Sequence, residues 1–346
     1  MCTNANLPLV LARARRIAII HHWDADGIAS AAMMINWANE RGIECANAAP
    51  PIGDYSDYAS TVSGLGAWKP DVVVLGLDLA VTGSALQSLA RQSSPSRLVW
   101  VDHHSNPPSP PEGPVFLHPS FIPADHPPSN AWFLAKLLSI PPGLLGSIGT
   151  CGDLGRTIAS HPVAAQIAET AFELGLTLDQ LLSLADLIDS SYRVGSHPDV
   201  EKAPRTLAQN AGHVEDLLNN KTWRANKLAV DREMHKLMSE GHERHGAVAM
   251  RTIRTRMHLA SIVARQMALQ EAGRAKAVIV RNLWGESVTF YIRRADPQLD
   301  LTPFIALGQG MGYSAGGKPE VVGMIVPRED VSAVTAKVMD YLEGSM

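Results

Sequence analysis

The sequence predicts an α/β protein: an N-terminal, mostly parallel sheet flanked by helices, a helical linker, and a smaller C-terminal mixed α/β domain. Three observations predict it. Over roughly the first 140 residues, short β-branched apolar runs alternate with segments of helical apolar spacing, the pattern of βαβ units with right-handed crossovers. From about 143 to 240 the pattern is helical alone, and after 247 strands and helices mix again. At 346 residues the chain is long enough to bury two cores. The expected division is 1–195, 196–240 as helical linker, and 241–346.

In order, strands are expected at 16–21, 43–48, 71–78 and 97–102, with helices at 27–41, 82–92 and 129–139 set off by glycine or proline breaks. The proline-rich stretch Asn106–Pro128 excludes a helix and reads as an ordered loop. Leu174–Ile188 and Asn226–Ser239 are the clearest helices of the middle region. The last region offers Ala247–Arg254, a helix near Leu259–Glu271, and strands near Ala277–Arg281, Ser287–Arg293 and Val321–Val326.

No apolar run is long enough to span a bilayer, so no membrane partner is expected. The start lacks the pattern of a secretory signal. Three cysteines (Cys2, Cys45, Cys151) without CxxC spacing fit a reducing cytoplasm. Charge is uneven. Residues 1–220 hold 12 Lys and Arg against 21 Asp and Glu, whereas 221–346 hold 18 against 13. An acidic part suited to cations and a basic part suited to an anion suggest complementary tasks.

The acidic part has a pattern. Ile17–Ile20 runs into His21-His22-Trp23-Asp24-Ala25-Asp26-Gly27, Val72–Leu75 into Gly76-Leu77-Asp78, and Leu98–Val101 into Asp102-His103-His104. In open parallel sheets ligands bind beyond the carboxyl ends of the strands, where these groups fall. Asp24 and Asp26 alone could cap a helix, Asp78 alone could be a turn residue, and His21 is expected to be structural. Together, carboxylates and imidazoles at three successive strand ends point to one metal site. Hard oxygen donors with imidazole suit manganese, with magnesium second, and a pair of such ions suits attack of water on phosphorus. Asp153, in a turn between Gly152 and Gly155, is a further donor.

In order and spacing, His22-Trp-Asp24-Ala-Asp26-Gly27, Asp78, Asp102-His103-His104 and Gly152-Asp153 resemble the four motifs of the DHH phosphoesterase superfamily. That superfamily includes RecJ exonucleases, nanoRNases, cyclic-dinucleotide phosphodiesterases and family-II pyrophosphatases. The tail resembles its DHHA1 accessory domain. Gly308–Gly323 matches the glycine-rich substrate loop, although Lys318 stands where relatives often carry histidine and Ser314-Ala315 replaces part of the glycine run.

The resemblance implies roles. His22 and Asp24 would bind one metal, Asp26, His103 and Asp153 a second, and Asp78 would bridge them. Asp102 would orient an imidazole, His104 would lie against the phosphate, and Arg293, Gly316, Gly317 and Lys318 would bind substrate. The implied activity is exonuclease-like hydrolysis of terminal phosphodiester bonds in short or single-stranded oligonucleotides, releasing nucleoside monophosphates. The alternatives are a phosphatase or phosphodiesterase of small nucleotides (phosphoadenosine phosphate, a cyclic dinucleotide) or polyphosphate, and a non-catalytic scaffold like Cdc45. The motif form His-x-Asp-x-Asp-Gly looks closer to archaeal RecJ-like sequences than to nanoRNases, while the two-domain length fits a nanoRNase-like enzyme. A homodimer and a replication or repair partner stay open.

Overall fold

The computed structural model describes all residues except 1–5, 13, 54–57, 70, 93–96, 105–106, 110–112, 123–125 and 345–346. The chain packs as two compact units, Met1–Lys227 and Leu228–Met346. The first contains α1 (Leu7–Leu11), β1 (Arg16–His21), α2 (Ala25–Asn39), β2 (Glu44–Ala48), α3 (Tyr58–Gly64), β3 (Val72–Leu77), α4 (Gly83–Gln92), β4 (Leu98–Val101) and β5 (Val115–Leu117). Helices follow: α5 (Asn130–Leu138), α6 (Gly143–Leu154), α7 (Ala164–Glu173), α8 (Leu178–Arg193), α9 (His197–Asn210), α10 (Val214–Leu218) and α11 (Lys221–Ser239).

The five strands form a parallel sheet in the order β2-β1-β3-β4-β5. Both faces are buried, which is why its central strands read as unbroken apolar runs. Ile17 and Ile19 point into the core shared with α2, α5, α6 and α8, while Ala18 and Ile20 point into the one beneath α3 and α4. Within the second core Trp100 lies against Gly76, where a Cβ would come within 2.3 Å of the ring, and its indole N–H donates to the Leu79 carbonyl at 2.7 Å.

Parallel pairing decides where the strands stop. His21 pairs with Leu77, Leu77 with Val101, and Val101 with Leu117. The next residues therefore stand in one row: His22, Asp78, Asp102 and His118. Their backbones continue the ladder, with amides of His22, Asp78 and Asp102 donating to carbonyls of Leu77, Val101 and Leu117 at 3.1, 3.0 and 3.1 Å.

Three expectations are corrected. The proline-rich stretch is not loop throughout: Val115–Leu117 forms edge strand β5, followed by a 3-10 turn at Pro119–Phe121. Prolines on either side leave three apolar residues, enough to pair at an edge. Part of the predicted loop lies outside the described residues. Asp153 is not in a turn but in the last turn of α6. Val200, Ala203, Leu207 and Trp223 pack in the first core, and the two units divide inside α11.

The second unit holds β6 (Glu243–His245), β7 (Val248–Ile253), α12 (Ala260–Gln270), β8 (Ala277–Asn282), β9 (Ser287–Arg294), α13 (Thr302–Gly310), β10 (Ser314–Lys318), β11 (Val321–Pro327) and α14 (Val331–Gly344). Its sheet is mixed, ordered β10-β11-β9-β8-β7-β6, with β7 and β8 parallel. Phe290, Ile292 and Met324 pack under α13 and α14, and α12 packs against β8 and β9. The third correction falls here. The segment expected as a glycine-rich loop is the end of α13 and a hairpin, β10–β11, in which Gly316 pairs with Gly323. Among the described residues no helix is long and apolar enough to cross a membrane.

Candidate metal centre

The row of strand ends and the start of α2 converge. Donor atoms of His22, Asp24 and Asp78 lie within 4.8 Å of one another, as do those of Asp26, His103 and Asp153 and those of Asp78, His103 and His104. Asp78 belongs to two of these groups and turns one oxygen to each side. Its Oδ2 lies 3.7 Å from His22 Nδ1, and its Oδ1 3.3 Å from His103 Nε2. To present both, Asp78 takes a left-handed backbone (φ +60°), a conformation aspartate tolerates better than most residues.

Asp24 does two things at once. Oδ1 caps α2 by accepting from the Gly27 amide at 3.1 Å, and Oδ2 lies 2.8 Å from His22 Nδ1. Burial by itself would raise its carboxyl, but the imidazole of His22 and the cap hold it well below the usual aspartate range.

Asp26 is buried and accepts from the amides of Asn130 (2.6 Å) and Ala131 (2.8 Å), the first turn of α5. Oδ2 remains 3.6 Å from His103 Nε2. Helix α6 brings Asp153 Oδ2 to 3.3 Å from the same nitrogen. It can approach because it shows glycine to α2: a Cβ on Gly149 would lie 2.3 Å from Asp26 Oδ1, and one on Gly152 2.9 Å from the Ala25 Cβ. The glycines before Asp153 serve helix contact, not a bend.

Burial, then repulsion from neighbouring carboxylates, pushes Asp26 and Asp78 well above the ordinary aspartate range. Asp78 Oδ1 is buried and accepts no hydrogen bond. Crowded carboxylates with an unsatisfied oxygen lack positive charge, and hard divalent cations with oxygen and imidazole ligands fit that need.

Beside the cluster, Asp102 Oδ1 lies 2.6 Å from His104 Nδ1, which leaves Nε2 as the ring nitrogen able to meet a substrate. Burial would raise Asp102, yet His104 holds it far below its usual range. His21 has the structural place expected of it: fully buried, with Nδ1 2.8 Å from the His22 carbonyl and its pKa lowered by burial to about 4.

Sequence reading missed His118. It accepts from the Ser120 amide at Nδ1, so Nε2 carries the proton and donates to the His104 carbonyl at 2.9 Å. The signal was present, an imidazole after the apolar run Val115–Leu117, but the prolines around it obscured the strand.

On the second unit, Lys318 pairs with Val321 and Val321 with Arg293, which puts both cations on one face of the sheet. Burial, then the neighbouring Arg265, lowers the Arg293 pKa. Gly317 has φ +156° and a Cβ there would lie 2.0 Å from the Val321 carbonyl oxygen, while Gly316 opens onto free space.

This architecture defines a protein with the DHH fold: a five-stranded parallel sheet flanked by helices, followed by a separate mixed-sheet unit. Among solved structures, the chain is similar to a DHH-domain protein described as belonging to a family of ribosomal proteins (TM-score 0.70, 16% identity, 97% of this chain and 89% of that one). It is also similar to exonuclease RecJ bound to manganese (0.65, 19%, 98% and 93%). A third similar structure is Thermus thermophilus RecJ with Mn2+, of which the match spans about half (0.69, 19%, 98% and 54%). No family model and no curated protein sequence matches the chain. The fold is thus that of the superfamily whose motifs the sequence resembles.

Proposed function

We propose that this chain is a two-metal phosphoesterase that hydrolyses terminal phosphodiester bonds of short or single-stranded oligonucleotides and releases nucleoside monophosphates. One observation carries the reading: a buried aspartate, Asp78, directs its two oxygens to two separate ligand groups, His22 with Asp24 and His103 with Asp26 and Asp153. A carboxylate so placed suits two cations a few ångströms apart. The RecJ structures of the same fold that hold Mn2+ or Mg2+ support divalent ions, and of these two the imidazoles favour Mn2+ over the harder Mg2+.

Two divalent ions supply charge neutralisation and a water acidic enough to attack phosphorus at neutral pH. The residues do the rest. Asp78 would offer one oxygen to an ion held by His22 and Asp24 and the other to one held by His103. The Asp102–His104 pair keeps an imidazole poised to give a hydrogen bond or proton to a phosphoryl oxygen, and the anionic Asp102 stabilises the imidazolium. Arg293, Lys318 and the backbone at Gly316-Gly317 form an anion platform for a substrate phosphate.

A small nucleotide is the second reading, favoured by Tyr291. It pairs with Gly323 in the row next to Arg293, and one ring suffices for one base. The test uses end-labelled RNA and DNA oligonucleotides with Mn2+, resolving single-nucleotide steps. A ladder that shortens by one supports the exonuclease reading. Turnover of phosphoadenosine phosphate or a dinucleotide alone favours the second. No turnover of any of these by protein holding two Mn2+ would leave the scaffold reading.

A further inference from the structure

Helix α2 begins at Ala25, between two expected ligands that belong to different groups, Asp24 and Asp26. The amides of a helix's first turn have no partner within the helix. Asp24 takes that of Gly27. That of Ala25 goes 164 residues along the chain, to Oδ1 of Asp189 on α8, at 2.8 Å.

Asp189 is 6% exposed and belongs to none of the three groups of close-lying donors. Its Oδ2 accepts from Arg193 Nη2 at 2.7 Å, one turn on. Arg193 also pairs with Asp186, and Asp186 Oδ2 lies 3.2 Å from Lys227 Nζ on α11. A buried carboxylate with a cation at one oxygen and a backbone amide at the other is fixed at both ends. Whatever moves Ala25 moves its two neighbours, and metal ligation tolerates displacements of only about 0.2 Å.

We infer that Asp189 is a positioning residue of the metal centre: it holds the amide between Asp24 and Asp26 and so sets where these two carboxylates stand relative to each other. This rests on the metal-centre reading above. Arg193 serves it by balancing the buried charge.

The test compares two variants of the full chain from which both buried charges are gone. D189N/R193Q keeps a side-chain oxygen for the Ala25 amide, and D189L/R193Q has the same bulk and none. Mn2+ is titrated calorimetrically into metal-free protein, with circular dichroism to show that each is folded. The expected result is binding at least about tenfold weaker in the Leu variant, within the range that loss of a ligand's supporting contact costs, and near the unaltered protein in the Asn variant. Equal affinity in the two variants overturns the role while the metal centre stands. If the unaltered chain binds no Mn2+, both readings fall. Hydrogen exchange needs no variant: the Ala25 amide in the unaltered, metal-free chain should be protected, and exchange at the rate of an open amide overturns the proposal even if the Leu variant does not fold.

Discussion

Gly149→Ala adds one methyl group where helix α6 meets Asp26. The new Cβ would stand 2.3 Å from Asp26 Oδ1 and 2.8 Å from the Ala131 Cβ, against 3.4–4 Å for ordinary contact. The carboxylate must therefore retreat by about 1 Å, several times the roughly 0.2 Å that metal ligation tolerates. Overpacking a core costs about 1–3 kcal/mol. Replacing glycine by alanine inside a helix returns about 1 kcal/mol. The net loss of stability is then at most about 2 kcal/mol, a fall in Tm of less than about 8 °C for a unit of this size. The metal centre should suffer more, with Mn2+ affinity down at least about tenfold. Gly64→Ala is the control, since a Cβ there meets nothing within 4 Å. Melting with and without Mn2+, together with calorimetric titration, measures both quantities. A G149A protein that binds Mn2+ like the unaltered chain would refute the claim that α6 and α5 fix Asp26 from two sides.

Asp78→Asn should cut turnover by more than the roughly hundredfold that loss of an outer contact costs and lower the Mn2+ stoichiometry from two, whereas full activity would remove Asp78 from its bridging place. His118→Ala leaves the His104 carbonyl without its donor, which costs about 1–3 kcal/mol in a buried setting. Its kcat should drop by about tenfold with little change in KM, and His118→Gln, whose amide can reach the same carbonyl, should recover most of it; unchanged kcat in the Ala variant would refute the support role. Asp26 and Asp78 keep protons in the folded, metal-free chain that the unfolded chain has released. Between the ordinary aspartate pKa and their raised folded values, stability should therefore fall as pH rises. Ligation needs the carboxylates ionised, so Mn2+ should expel protons and abolish that slope. Heats of Mn2+ binding in two buffers of unequal ionisation enthalpy measure the release, and none would mean these groups are already ionised.

Much of the site was legible because its signals are local. A β-branched run that stops at a carboxylate or imidazole announces both the strand and what lies at its end, and three such runs named His22, Asp24, Asp26, Asp78, Asp102, His103 and His104 as neighbours. Asp153 was readable as a donor, but its helix was not, since glycines at 149, 152 and 155 look like breaks until a second helix is known to press on them. The glycines of 308–323 misled in the same way, because an edge hairpin with one open face needs few side chains. His118 and Asp189 escaped for a further reason. Their importance lies in what they touch, a carbonyl 14 residues away and an amide 164 residues away.

The sequence by itself determined the alternation of strands and helices, the chemistry of the donors and the acidic and basic halves, because these follow from apolar period and residue type over a few positions. The tertiary structure alone decided which donors meet. Parallel register put four strand ends in one row, backbone amides at helix N-termini met the buried carboxylates of Asp26 and Asp189, and glycine faces set how near the helices came. Register and packing depend on contacts between distant parts of the chain, and no local pattern contains them.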